Sequence, residues 1–191
     1  MLTTRLQGGM AMIAFVTTML VLTGGICVAA MHFLYAGRQL AGLHLDREIA
    51  FRAAEVALRD AEADLMAATA SVQGRLAEWP ASGSCGTQAQ RGICRAGSGQ
   101  PAWQPWLDGA APESTPGLAL GTITGARMPQ LPNGVAGATR APWYLIEILD
   151  DHNDHPHTPG ATAHWPRFRI TALGLGRDPS VRVLLQAEFQ P

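Results

Sequence analysis

The chain has 191 residues and a net charge of −1, with 47% apolar and only 15% charged residues. Its 14 basic residues are all arginine and are balanced by 15 acids, so it lacks the basic footprint of a nucleic-acid binder, and no nucleic-acid partner is expected. Beyond its apolar N-terminal run, about 150 residues remain, enough for one domain with a modest core.

The first element is that run. Met10 to Leu34 is uncharged and mostly apolar. As a helix rising about 1.5 Å per residue it reaches roughly 37 Å, enough to cross a hydrocarbon core of about 30 Å. A secretory signal has a shorter apolar core, of about 7 to 15 residues. Val28, Ala29 and Ala30 nevertheless form a passable signal-peptidase site, which keeps simple secretion open as an alternative.

From Arg38 to about Ala70 the chain is rich in Ala, Leu, Glu and Arg and free of Pro, a strong helix composition. Ala50, Ala54, Leu58, Ala61 and Leu65 recur at three- and four-residue intervals, predicting one apolar stripe suited to a partner surface. On the solvated face Glu48 is expected to pair with Arg52, and Glu55 with Arg59, at i, i+4. Only Gly37 and Gly42 interrupt the pattern, each costing up to about 1 kcal/mol in a helix interior. The expectation is one helix of roughly 55 to 60 residues, or two halves bent near these glycines.

Between Gln73 and Ala141 the composition turns to Pro, Gly, Ser and Thr, which predicts turns and irregular structure. Trp79, Trp103 and Trp106 argue for order there, because each offers a large surface that favours burial. Cys85 and Cys94 bracket a short loop, and in an exported chain they are expected to form a disulfide worth about 2 to 3 kcal/mol on the chain-entropy argument. A zinc site is disfavoured, since no second cysteine pair accompanies them. Cys27 lies inside the apolar run. Leu118 to Thr124 is a possible short strand by composition.

Three strands follow by pattern: Trp143 to Leu149, Arg167 to Leu173 and Val181 to Phe189. In the last, Val181, Val183, Leu185, Ala187 and Phe189 share one face, and Gly174 to Ser180 supplies a hairpin turn before it. Glu147 is expected to face solvent or to pair with Arg169. The fold class is therefore α+β, a long N-terminal helix packed on a C-terminal antiparallel sheet.

Asp150 to Trp165 is the one stretch with candidate metal chemistry. His152, His155, His157 and His164 stand among Asp150, Asp151 and Asp154, offering imidazole and carboxylate ligands, but their spacing matches no defined site. The bland reading, a solvated polar loop, is preferred, and no metal site is assigned; His152, His155 and His157 are the candidates if one exists. With no nucleophile triad, phosphate-binding loop or paired catalytic carboxylates, no enzyme activity and no cofactor are expected.

The leader QGGMAMIAF (Gln7 to Phe15), the segment DREIAFRAAEVALRDAE (Asp46 to Glu62) and the endings FRITALGLG and VRVLLQAEF resemble the type IV pilins, and within them the PilX-type minor pilins. That resemblance implies a division into residues 1–9 as prepilin leader, 10–36 as transmembrane and assembly helix, 37–72 as its amphipathic continuation, 73–141 as an irregular region and 142–191 as the sheet. It implies cleavage after Gly9 by a prepilin peptidase, N-methylation of Met10, a single-pass inner-membrane protein with a periplasmic C-terminal domain, and other minor pilins and pilus assembly proteins as partners. The implied role is priming type IV pilus assembly, with a possible place in the tip complex or the surface pilus. The chain departs from the major-pilin pattern at Ala14, where most carry glutamate at the fifth mature position, as is also found in tip-proximal members. The alternatives are a K-type pseudopilin of type II secretion and a membrane-anchored or secreted metal-binding protein.

Overall fold

A computed structural model describes residues 4–70, 74–76, 78–129, 137–149 and 166–190, with side chains from residue 10. The first helix, α1, runs without interruption over Thr4–Ala70 and passes through Gly24, Gly25, Gly37 and Gly42. The chain divides at Leu45 and Asp46 into two compact units, so the two parts of α1 are considered separately.

The first part is a helix with apolar side chains on every side, long and apolar enough to cross a membrane. Its large side chains stand in the open, Phe33 at 80% and Met10 at 76% exposure. An all-round apolar surface of this length is stable only when lipid or other helices cover it. The hydroxyls that lower its hydropathy are satisfied within the helix. Thr17 donates to the carbonyls of Ile13 and Ala14 at 3.0 and 2.9 Å, and Thr18 and Thr23 bond back in the same way.

The second unit begins at Asp46. Five strands form one mixed sheet: β1 (Ile93–Arg95), β2 (Leu118–Ala119), β3 (Trp143–Leu149), β4 (Arg167–Leu175) and β5 (Arg182–Phe189). The run β3, β4, β5 is antiparallel as the sequence predicts, with Glu147 opposite Arg169 and Ile170 opposite Ala187. The free edge of β3 is then shared end to end. β1 joins it in parallel at Ile146 to Ile148, and β2 joins it antiparallel at Trp143 and Tyr144. The sheet thus reaches back into the region read as irregular: β2 falls at the start of the Leu118 to Thr124 stretch read as a possible strand and is shorter than it, whereas three-residue β1 leaves no period in the sequence.

The β3–β4 pair is buried on both faces. On one face Tyr144, Ile146, Ile148, Phe168, Ile170 and Ala172 pack with the α1 stripe of Ala54, Ala57, Ala61 and Leu65. The other face carries Leu145, Leu173 and Leu175 under Trp103 and Trp106. Trp106 sits on the four-residue helix α2 (Gln104–Leu107), and its indole donates to Thr115 Oγ1 at 2.9 Å. The tryptophan segment is therefore a second covering layer for the sheet.

Helix and sheet meet at backbone distance at Gly174. A Cβ there would lie 1.9 Å from the Ala50 carbonyl oxygen and 2.6 Å from the Ala54 nitrogen. Gly174→Ala is expected to force the elements apart and cost about 2 to 4 kcal/mol. Chemical unfolding followed by tryptophan fluorescence measures this, and an unchanged midpoint contradicts the packing described.

Candidate functional site

The exposed apolar helix is the first functional surface. Met10 and Ala14 lie within it and are solvent-exposed, and Gly9 is helical with them. The His-rich stretch with His152, His155 and His157 lies outside the described residues. Among the described residues no group of His, Cys, Asp and Glu is gathered in a metal-binding arrangement.

Cys85 and Cys94 form the expected disulfide. Around it the backbone of residues 83 to 86 pairs with β1: Gly86 N–H donates to Ile93 O at 2.8 Å and Arg95 N–H to Ser84 O at 2.9 Å. The link therefore clamps the edge that β1 adds to β3. Both cysteines pack with Trp103 and Leu145 on the face away from the α1 stripe.

Three acids that the sequence reading left unassigned lie on the buried stripe of α1. Asp46, Asp60 and Asp64 are 5%, 4% and 1% exposed. Each holds a different segment to the helix. Asp46 accepts the N–H groups of Arg177 and Asp178 at 2.7 and 3.1 Å and the Arg177 Nε at 3.2 Å, fixing the β4–β5 turn. Asp60 accepts Gly121 N–H at 2.7 Å and the Thr124 hydroxyl. Gly121 has φ +74°, a conformation that favours glycine, and it turns the chain after β2 toward the acid. Asp64 accepts the Tyr144 hydroxyl at 3.0 Å and pairs with Arg75. Arg75 in turn donates to the carbonyls of Ala89 and Arg91, joining the helix end to the disulfide loop.

Their electrostatics follow from these partners. Partial burial pushes the Asp46 carboxyl up, but the two backbone donors and the Arg177 guanidinium outweigh it, so the net shift is downward. Burial, and then Asp64, push the Tyr144 hydroxyl well above its ordinary range. The exposed ion pairs differ from the expected set: Arg52 bridges Glu48 at 2.8 Å and Glu55 at 3.0 Å, so Glu55 turns to Arg52 in place of Arg59. Such exposed pairs are screened by solvent and add little to stability.

Glu147 does not face solvent. At 3% exposure it is buried beneath the tryptophan layer, where Oε1 accepts Ala102 N–H at 3.2 Å. Arg169, its partner across the strands, lies 3.9 Å away. Desolvation raises the Glu147 carboxyl above its ordinary value, against the lowering effects of Ala102, Arg169 and Trp103.

The protein so defined is a membrane-anchored chain whose helix enters an α+β domain stapled by one disulfide. The family described as "Type IV pilus assembly protein PilX C-term" matches residues 85–191, more than half of the chain, and the chain belongs to that family. This makes it a type IV pilus assembly protein associated with the pilus machinery, in a structural and assembly family. No curated protein and no solved structure matches it.

Two variants test the acid stripe. Asp64→Ala strands Arg75 and the Tyr144 hydroxyl and is expected to cost on the order of 3 kcal/mol in chemical unfolding. Asp46 has a lowered folded pKa, so its stabilisation is full above its unfolded value of about 4 and is lost as pH falls through the folded value. Asp46→Asn is therefore expected to lower the midpoint at pH 7 and to flatten the loss of stability below about pH 4. A parent-like pH profile in Asp46→Asn contradicts the assignment.

Proposed function

We propose that the protein is a minor pilin that primes assembly of a type IV pilus and occupies a position at or near the filament tip. The observation that carries this reading is the uninterrupted α1, an exposed apolar helix whose amphipathic continuation carries the buried stripe of a sheet domain, in a chain of the PilX family.

In this proposal a prepilin peptidase cuts after Gly9 and the new N-terminus at Met10 is methylated. The apolar helix from Met10 holds the subunit in the inner membrane. Arg5 stays on the cytoplasmic side, in line with the positive-inside tendency, and the domain lies in the periplasm. The same helix then packs among other pilin helices on assembly, exchanging lipid for protein against a surface that tolerates either.

Ala14 supports the tip position. A neighbouring subunit's N-terminal amine buried beside it finds no carboxylate, and an unpaired buried charge costs several kcal/mol. A subunit entering first has no earlier amine to meet. The family match supports a pilus over a secretion pseudopilin, and it gives no support to a metal-binding role.

Intact-mass and N-terminal peptide analysis of membrane-extracted protein, from cells with and without a prepilin peptidase, tests the pathway. The expected product begins at methylated Met10 only when the peptidase is present. A chain beginning at Met31, or one keeping residues 1–9 beside an active peptidase, overturns the proposal.

A further inference from the structure

Strand β5 is the outer strand of the sheet, and among the described residues no strand pairs with its second edge. It is eight residues long and pairs with β4 in unbroken register. Opposed residues in an antiparallel pair alternate between those that exchange backbone hydrogen bonds and those that do not. Gly176 N–H donates to Val181 O at 2.9 Å, one step beyond the register pair of Leu175 and Arg182, so the Val181 backbone turns toward β4. The alternation turns Val183, Leu185, Ala187 and Phe189 the same way. The N–H and C=O groups of Arg182, Leu184, Gln186 and Glu188 therefore point outward, and they have no hydrogen-bond partner among the described residues.

Such edges are ordinarily guarded by lysine, proline or a bulge, because they are templates for another strand. β5 has none of these. Its side chains are half-buried or exposed from end to end. On the α1 face Leu185 and Phe189 pack against the core and stay partly open. On the other face, Arg182 donates to the carbonyls of Ala110 and Pro179 and has no acid within ion-pair distance among the described residues. At the far end Glu188 stands 3.8 Å from both Arg167 and Arg169.

We propose that β5 accepts an added strand, an extended segment of another protein that pairs antiparallel with this edge. Its backbone fills the outward row of donors and acceptors. Its side chains alternate, with apolar residues beside Val183, Leu185, Ala187 and Phe189 and an acid opposite Arg182. Antiparallel pairing is the more stable per residue. The β5 strand of a second copy has matching chemistry, since its Glu188 would meet Arg182. That pairing reverses the direction of α1 across the joined sheet, because α1 packs along the sheet face, and two copies anchored in one membrane must point the same way. A separate segment has no such constraint. The edge is independent of the tip position proposed above.

The test uses the full chain in non-ionic detergent micelles and a fluorophore-labelled peptide of sequence RVLLQAEF, the β5 sequence itself, read by anisotropy. Free of any anchor, this peptide can align antiparallel on β5 with its Glu opposite Arg182, and saturable binding is expected. N-methylation of its Arg, first Leu, Gln and Glu removes the donors turned to β5 and is expected to weaken binding about tenfold or more. N-methylation of its Val, second Leu, Ala and Phe spares those donors and is expected to keep affinity within about threefold. The two methylated peptides share one composition, so micelle partition does not separate them. Gln186→Pro removes an outward donor and leaves the β4 ladder intact, and it is expected to weaken binding about tenfold. A peptide with Arg in place of its Glu sets like charges opposite each other and is expected to bind about threefold more weakly. Absence of saturable binding, equal binding of the two methylated peptides, or full affinity with Gln186→Pro or with the Arg-substituted peptide overturns the proposal. A full-chain dimer in sedimentation that Gln186→Pro dissolves gives the edge to a second copy and overturns it as well.

Discussion

The close approach of α1 to β4 is the constraint on which the domain depends. Alanine fills the helix stripe at positions 50, 53, 54, 57, 61 and 68, all buried, and Gly174 removes the last side chain between helix and strand. Small residues bring the two backbones together at the expense of apolar area per residue. The area is recovered from the sheet, whose Tyr144, Ile146, Ile148, Phe168 and Ile170 cover the alanines. A helix lined by leucine instead would stand farther off, and the acids beside the alanines would lose their reach.

That reach gives the acids their role. Short Asp side chains on a close-packed stripe reach loops that have little core of their own, Asp46 and Asp60 through backbone N–H groups and Asp64 through the Arg75 guanidinium. The turn after β4, the turn after β2 and the segment after α1 are each tied to one acid. Anchors of this kind let a Pro- and Gly-rich chain keep a defined surface, and a surface that is defined but carried on loops suits recognition among assembly subunits. The disulfide does for the β1 edge what the acids do for the helix side.

Much of this was legible in the sequence, and the rest depended on distant partners. The apolar run, the Ala50 to Leu65 stripe and strands β3 to β5 each carry their period within one segment, so local pattern sufficed. The disulfide followed from two cysteines in a short loop. Asp46, Asp60 and Asp64 fall in the same helical register as Ala50, Ala53 and Ala57, a signal that was present; acids are normally taken as solvated, and their donors lie 11 to 132 residues away. Strand β1 is three residues long and exists because β3 and the segment at Gly83 to Gly86 pair with it. Burial of Glu147 depended on Trp103 and Ala102 folding over it, which no alternation within β3 could disclose.

The central structural claim is that the amphipathic part of α1 belongs to the core of the sheet domain and is not an independent stalk. Amide hydrogen exchange of the full chain in detergent micelles tests it most directly. The account predicts that amides from Ala50 to Ala68 exchange through the same slow opening as those of β3 and β4, because one shared core must open to expose either. Fast exchange along Ala50 to Ala68 beside a sheet that stays protected would contradict it.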